Sequence, residues 1–353
     1  MTLLEKSHNI SPDGDARLRK QGYERSGIGL LERQRQACTY WAPHLERNKR
    51  CLLDIAQKLR AEGGPGGTLV ILGAGRLLDV PWETLFPQFE RVVLYDADSS
   101  IVPFVERLFS SVRHTPFPPP RFEIGDLTGT VVDTAAWAGH TIERSTSPEQ
   151  AATALLEGFQ RGGAECQPWA GSHADLRMVV STNLMSQLGY FPRAYIQREF
   201  RTRFKQGFAD RTAAAEALEC YFDRVRARHV SDIAAQKNAW AFLSSDIETI
   251  TYELEGEQKD LSKVEAPPGG GAFLDDTGGA QFHWPVKITG RSDPLHGQKI
   301  RNLWPAGTPL DPPQRWIWHI VPQGLEKRYT TCGRTHVVEA WTKRSAEQPR
   351  LAS

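Results

Sequence analysis

The residues best suited to chemistry stand at the ends of apolar runs. Thr68–Leu72, reading TLVIL, is apolar or β-branched and suits a strand buried on both faces, and Gly73, Ala74 and Gly75 follow at once. A turn of small residues at the carboxyl end of a parallel strand lets backbone N–H groups approach a ligand that no side chain blocks, so this turn predicts a cofactor site. A second run, Arg91–Tyr95, ends in Asp96, a carboxylate able to accept from both hydroxyls of a ribose, with Ala97 and Asp98 next to it. A third, within RFEIGDLTG, puts Asp126 and Leu127 just past a short strand. A fourth, Leu176–Val180 in LRMVVSTNLMSQLGYFP, turns polar from Ser181 to Gln187 and sets Asn183 beside the glycine turn. An asparagine amide both accepts and donates, so it can orient a nucleophile without being a strong base, and Gln187 lies one helical turn further on.

Which cofactor fits is a matter of spacing. A dinucleotide fingerprint needs a third glycine three residues after the second, but Leu78 stands there, so GxGxxG is broken. Asp96 could hold the ribose of a nicotinamide cofactor as well, which keeps an oxidoreductase as a third reading. Taken together, TLVILGAGRLLDVP, RVVLYDADSS and RFEIGDLTG resemble the class I S-adenosylmethionine-dependent methyltransferases. The resemblance implies an α/β fold: a Rossmann-like, doubly wound, mostly parallel seven-stranded sheet closed by an antiparallel C-terminal hairpin, with an N-terminal helical extension. It implies S-adenosylmethionine as cofactor, its methionine end cradled by Gly73, Ala74 and Gly75, its ribose held by Asp96 beside Ala97, and its adenine near Asp126 and Leu127. The segment after the fourth strand, Ser181–Tyr190, passes beneath the transferred methyl in that family. Asn183 then borders the cofactor and, with Gln187, is the catalytic candidate; the competing role for Asn183 is to cap the following helix. Many members carry an acid two residues before the first glycine, where this chain has Ile71, and Asp79 could substitute, as the acid in a similar LGxG turn does in some carboxyl methyltransferases. Ile71 also motivates the alternative reading, a cofactor-binding partner subunit that has lost catalysis.

Around these residues the chain divides into a polar segment, 1–26, predicted mobile and outside the fold; a helical cap, 27–66; the cofactor-binding domain, 67–343; and a disordered tail, 344–353. The cap reads as helices Gly29–Trp41 and Pro43–Ala61, stopped by EGGPGG. LLDVPWETLF opens the helix after the first strand, and Ile101–Val112 forms the next, capped by Asp98 or Ser99. PFPPP forces an extended approach to the third strand. SPEQ is a capping-box signature, with Ser147 as N-cap and Gln150 reaching back. Ala194–Gln236 is mostly helical, with Phe200, Phe204 and Phe208 on one stripe, Arg198, Arg201 and Lys205 on another, and His229 as a core or capping histidine. Trp240–Ser244 is the fifth strand, with Asp246 and Glu248 at its functional end. Gly256–Pro313 is an irregular insertion with one short strand near Trp284–Ile288, expected to border the acceptor side of the cleft. RWIWHIV and THVVEAW form the closing hairpin.

The 353 residues, 40% hydrophobic and 24% charged, can bury a full core. Lys and Arg total 43 against 42 acids, which gives no field to attract nucleic acid or an anionic membrane. The five cysteines, Cys38, Cys51, Cys166, Cys220 and Cys332, show no CxxC spacing and read as reduced thiols with no metal site. With no signal-peptide pattern and no apolar run of spanning length, the expectation is a cytoplasmic protein that acts on a small molecule or peptide, with a homodimer left open. Trp284, Trp304, Trp316 and Trp318 could line an aromatic pocket or belong to the core.

Overall fold

The computed structural model describes residues 12–23, 26–62, 66–111, 119–163, 167–256, 260–261, 264–267, 270–325 and 331–346. Cys166, three residues of EGGPGG, the first three residues of PFPPP and the last seven of the chain lie outside them. In order, the elements are α1 (Pro12–Gln21), α2 (Ser26–Gln36), α3 (Cys38–Ala61), β1 (Thr68–Leu72), α4 (Trp82–Leu85), β2 (Arg91–Asp96), α5 (Ile101–Ser110), β3 (Arg121–Ile124), α6 (Val131–Arg144) and α7 (Pro148–Arg161). There follow β4 (Leu176–Thr182), α8 (Tyr190–Phe204), α9 (Thr212–Ala235), β5 (Trp240–Leu254), β6 (Ala272–Leu274), β7 (Ala280–Phe282), β8 (Val286–Ser292), α10 (Ile300–Leu303), β9 (Gln314–Val321) and β10 (Gly333–Lys343).

The main sheet runs in the order β3-β2-β1-β4-β5-β10-β9. The first five strands of that order pair in parallel, while β10 pairs antiparallel with both β5 and β9. Strand β1, central and buried along its whole length, shows why both faces are covered. Leu69 and Ile71 point into one apolar layer with α3, α4 and α5, and Val70 and Leu72 into the other, with α6, α7, α8 and α9. This is the doubly wound sheet closed by a C-terminal hairpin that the sequence predicts. It places the carboxyl ends of β1, β2, β3 and β4 along one edge.

Several expectations are corrected. The sheet has eight strands rather than seven, because β5 runs on past Ser244 to Leu254 and its outer half pairs with β8, antiparallel. The extra strand satisfies backbone groups that β4, ending at Thr182, cannot reach. The insertion 256–313 accordingly holds a small β6–β7 hairpin, β8 and α10. The N-terminal segment is not outside the fold: α1 buries Leu18, and the Gln21 side chain donates to the Val132 carbonyl at 2.7 Å. The second cap helix starts at Cys38, so Pro43 lies inside it, and Tyr40 and Trp41 of its first turns enter the core. After β1 only a single turn, α4, and a 3-10 turn at Phe86–Gln88 form, although Trp82 and Phe86 are buried as expected. Helix α6 has no counterpart in the sequence reading. At the other end, the Ala346 N–H donates to the Lys237 carbonyl at 2.8 Å, so the expected tail begins as ordered chain. At the start of α7 the Gln150 N–H donates to Ser147 Oγ, while the Gln150 side chain reaches one residue further back than foreseen, to the Thr146 N–H.

Candidate functional site

One cavity opens at the carboxyl edge of β1, β2, β3 and β4, and all ten residues singled out from the sequence line it: Gly73, Ala74, Gly75, Asp79, Asp96, Ala97, Asp126, Leu127, Asn183 and Gln187. Ile71, where many methyltransferases carry an acid, is fully buried in the layer beneath α3 and contributes nothing to the lining. No residue of the insertion 256–313 lines it either. The far wall belongs instead to Leu30, Trp41, His44 and Leu45 of the cap and to Trp318 of β9. The placement of the insertion on the cleft is thereby corrected among the described residues.

The turn after β1 owes its shape to glycine. Gly73 has φ +67° and Gly75 φ +51°, in the left-handed region that favours residues without a Cβ. A methyl group at Gly73 would meet Leu184 at 2.8 Å, whereas at Gly75 only the Gly73 carbonyl lies within 4 Å, at 3.9 Å. The two glycines thus have different reasons: close packing at Gly73, and open space for a ligand at Gly75. The Gly75 N–H donates to Asp96 Oδ2 at 2.7 Å, and the Asp98 N–H to Asp96 Oδ1 at 2.8 Å. Burial outweighs these bonds and raises the Asp96 pKa to about 6. Asp98 Oδ1 accepts from the Ser100 N–H, and Asp98 Oδ2 is buried without a partner among the described residues.

Asp126 is engaged differently. Its Oδ1 accepts from Thr128 N and Oγ1 at 2.9 and 2.7 Å, and its Oδ2 from Val132 N at 2.8 Å, so the carboxylate ties the start of α6 to the end of β3. It lines the cavity with much of its accepting capacity already used. Arg76, which the sequence reading passed over, grips the Ser100 carbonyl and hydroxyl at 2.9 and 2.8 Å and lies 4.7 Å over the Phe104 ring, bracing the loop between β2 and α5.

Asn183 does not cap a helix. Its φ is +51°, its N–H donates to the Ser244 carbonyl at 2.8 Å, and the helical turn at Met185–Gln187 has no side-chain cap. Its amide nitrogen lies 3.3 Å from Asp79 Oδ2 and 3.2 Å from His44 Nε2. Asn48, on the same helix as His44, approaches both atoms from the other side, at 3.5 and 3.3 Å. Burial raises the Asp79 pKa. His44 is stacked on Trp318, with centroids 4.2 Å apart and planes 6° from parallel, and its Nδ1 accepts from the Trp316 indole N–H at 2.9 Å. An indole N–H only donates, so the neutral imidazole carries its proton on Nε2, and the Asn183 and Asn48 amides beside it accept that proton only when their oxygens are turned toward it. Burial lowers the His44 pKa to about 3. The sequence held a signal for this pair: His44 and Asn48, four residues apart, interrupt the apolar stripe of a long helix.

Gln187 is exposed at the mouth of the cavity. His229 is a core residue, held between Ser181 Oγ and Gln167 Oε1 at 2.9 Å each. Of the four tryptophans, Trp318 lines the cavity, Trp316 supports His44, Trp304 belongs to the core beneath α9, and Trp284 packs against Tyr40 and His319. The described cysteines are free thiols, and no helix among the described residues is long and apolar enough to cross a membrane.

No protein-family model and no curated protein matches this chain. Among solved structures it is similar to the glycopeptide N-methyltransferase MtfA, with 12% identity over 83% of this chain and 89% of that one and a TM-score of 0.31. It is also similar to DhpI in a SAM-HEP complex, with 11% identity over 95% and 100% of the two chains and a TM-score of 0.28. The sheet order, five parallel strands followed by an antiparallel pair, is what defines the architecture. The fold is a Rossmann-like, doubly wound sheet closed by an antiparallel C-terminal hairpin.

Proposed function

We propose that this protein transfers a methyl group from S-adenosylmethionine to a small-molecule or peptide acceptor. The observation that carries the reading is the gathering of the glycine turn, Asp96, Asp98, Asp126 and Asn183 around one cavity at the switch edge of the sheet. Gly75 leaves open space there. Charge favours a cation over the pyrophosphate of a dinucleotide. Asp79, Asp96, Asp98 and Asp126 face the lining against Arg76, and burial holds the pKa values of Asp79, Asp96 and Asp126 above the ordinary carboxylate range, so a bound cation would relieve them.

S-adenosylmethionine, when bound, would supply an electrophilic methyl on a sulfonium. The work left to this chain is alignment. The turn at Gly73–Gly75 and Asp79 would hold the methionine end, and Asp96 with Asp98 the ribose. Asn183, fixed in a left-handed conformation beside His44, would orient the acceptor atom. His44, with its proton on Nε2, is a hydrogen-bond donor and not the base. Leu30, Leu45, Trp41 and Trp318 make the wall on the side of the cap apolar and aromatic, which suits an acceptor with an apolar body.

The partner-subunit alternative rests on Ile71, buried in the core, and on Asp79, already approached by Asn48 and Asn183. Thermal shift separates cofactor classes: a ligand at a hundred times its dissociation constant adds about 2.7 kcal/mol of folded-state stability. S-adenosylmethionine and its demethylated product should raise the melting temperature and NAD should not. The reverse result would sink the assignment. Binding without transfer to any member of an acceptor library would favour the partner subunit.

A further inference from the structure

The cavity has a wall that neither the glycine turn nor the cap helices supply. Helix α1 lies against α6 and α8, held by buried Leu18, by Gln21 on the Val132 carbonyl, by Arg17 on Asp133 at 2.6 Å, and by Arg198 on the Lys20 carbonyl at 3.0 Å. Gly22, at φ +97°, turns the chain out of the helix, and Tyr23 then enters the cavity with its ring 4.9 Å from that of Phe191. Its hydroxyl pKa is raised, first by burial and then by Asp126, Tyr221 and Asp96; Asp126 and Asp96, at the ends of β3 and β2, line the same cavity. The helix is anchored to the same loop: Gln21 bonds the carbonyl of Val132, and the N–H of Val132 bonds Asp126.

We propose that Tyr23 is part of the ligand site, covering the adenosine end of the bound cofactor across from Asp96 and Asp126, and that α1 serves to hold it there. The inference deepens the methyltransferase reading and rests on it. An aromatic face covers a base regardless of its substituents, and Asp96 opposite accepts from ribose hydroxyls, so the ligand class is a nucleoside, which the methyltransferase reading makes adenosine. The ring does the covering, which makes the hydroxyl secondary.

Calorimetry on the full chain with S-adenosylhomocysteine, and separately with adenosine, tests this. Tyr23→Ala should weaken both ligands about tenfold or more, and Tyr23→Phe should stay within about threefold of wild type. Gln21→Ala, which loosens the anchor and leaves the lining side chains in place, should weaken both in the same direction. Amide hydrogen exchange across residues 16–23 of the wild-type chain should slow when either ligand is bound, a measurement that needs no variant to fold. Wild-type binding with unchanged affinity in Tyr23→Ala overturns the inference alone. Tighter binding by that variant, with faster exchange in the liganded wild type, shows a plug and overturns it as well. A wild-type chain with no affinity for either ligand overturns the methyltransferase reading and this inference with it.

Discussion

The indole N–H of Trp316 donates to His44 Nδ1 at 2.9 Å, and this contact between β9 and α3 decides what the histidine facing Asn183 can do. The ring proton is fixed on Nε2, and burial keeps the second proton off until about pH 3. The neutral ring is therefore expected to stay in the Nε2–H form from pH 8 to pH 5, as read from its ring-nitrogen shifts by NMR. A titration near pH 6.5 would refute the assignment.

The same burial has a stability consequence. His44, with a folded pKa of about 3, and His229 and His319, each at about 4, lie below the unfolded value of 6.5. The unfolded chain binds their protons first as pH falls, so their contribution is present above pH 6.5 and is lost below it, at roughly 1.4 kcal/mol per pH unit for each. His319→Gln should flatten the fall of stability between pH 6.5 and 4.5. An unchanged slope would mean that His319 is protonated in the folded state.

Asp96 has the opposite sign. Its pKa, raised to about 6, lets the folded state hold a proton that the unfolded chain has released, so its ionisation costs stability as pH rises from about 4 to 6. Ribose hydroxyls donate to the ionised form, and affinity for S-adenosylhomocysteine should rise up to tenfold per unit on approaching pH 6 and level off above it. Asp96→Asn should bind more weakly by about 1.5–3 kcal/mol and lose this pH dependence. Equal affinity in the two proteins would leave Asp96 as a loop ligand for Gly75 and Asp98 only.

Gly75→Val places a branched side chain in the open space beside the turn at a backbone angle that costs about 1–2 kcal/mol. The variant should fold with a lowered melting point and show no measurable cofactor binding. Retained affinity would put the ligand elsewhere in the cavity.

At Asn183, glycine keeps the φ of +51° and alanine does not. Asn183→Gly should therefore melt near the wild type, and Asn183→Ala about 1 kcal/mol below it. Both should slow single-turnover transfer tenfold or more, about 1.4 kcal/mol of barrier, with cofactor affinity nearly unchanged. A wild-type rate in Asn183→Gly would remove the amide from the chemistry.

Local patterns in the sequence determined the strands and the residues at their ends. Burial of β1 on both faces, the small turn after it and the acids after β2 and β3 are consequences of residue type at fixed spacing, which is why ten residues from separate segments could be named and found around one cavity. Tertiary structure decided what shares that cavity with them. Tyr23, His44 and Trp318 come from α1's end, α3 and β9, far apart in the chain, and no periodicity couples a histidine on a helix to an indole on a strand more than two hundred residues away. The same holds for Asp126, whose carboxylate reads as a ligand group in sequence and in space is drawn into the start of α6. The eighth strand exists because β5 outruns β4, a difference of length that only pairing reveals.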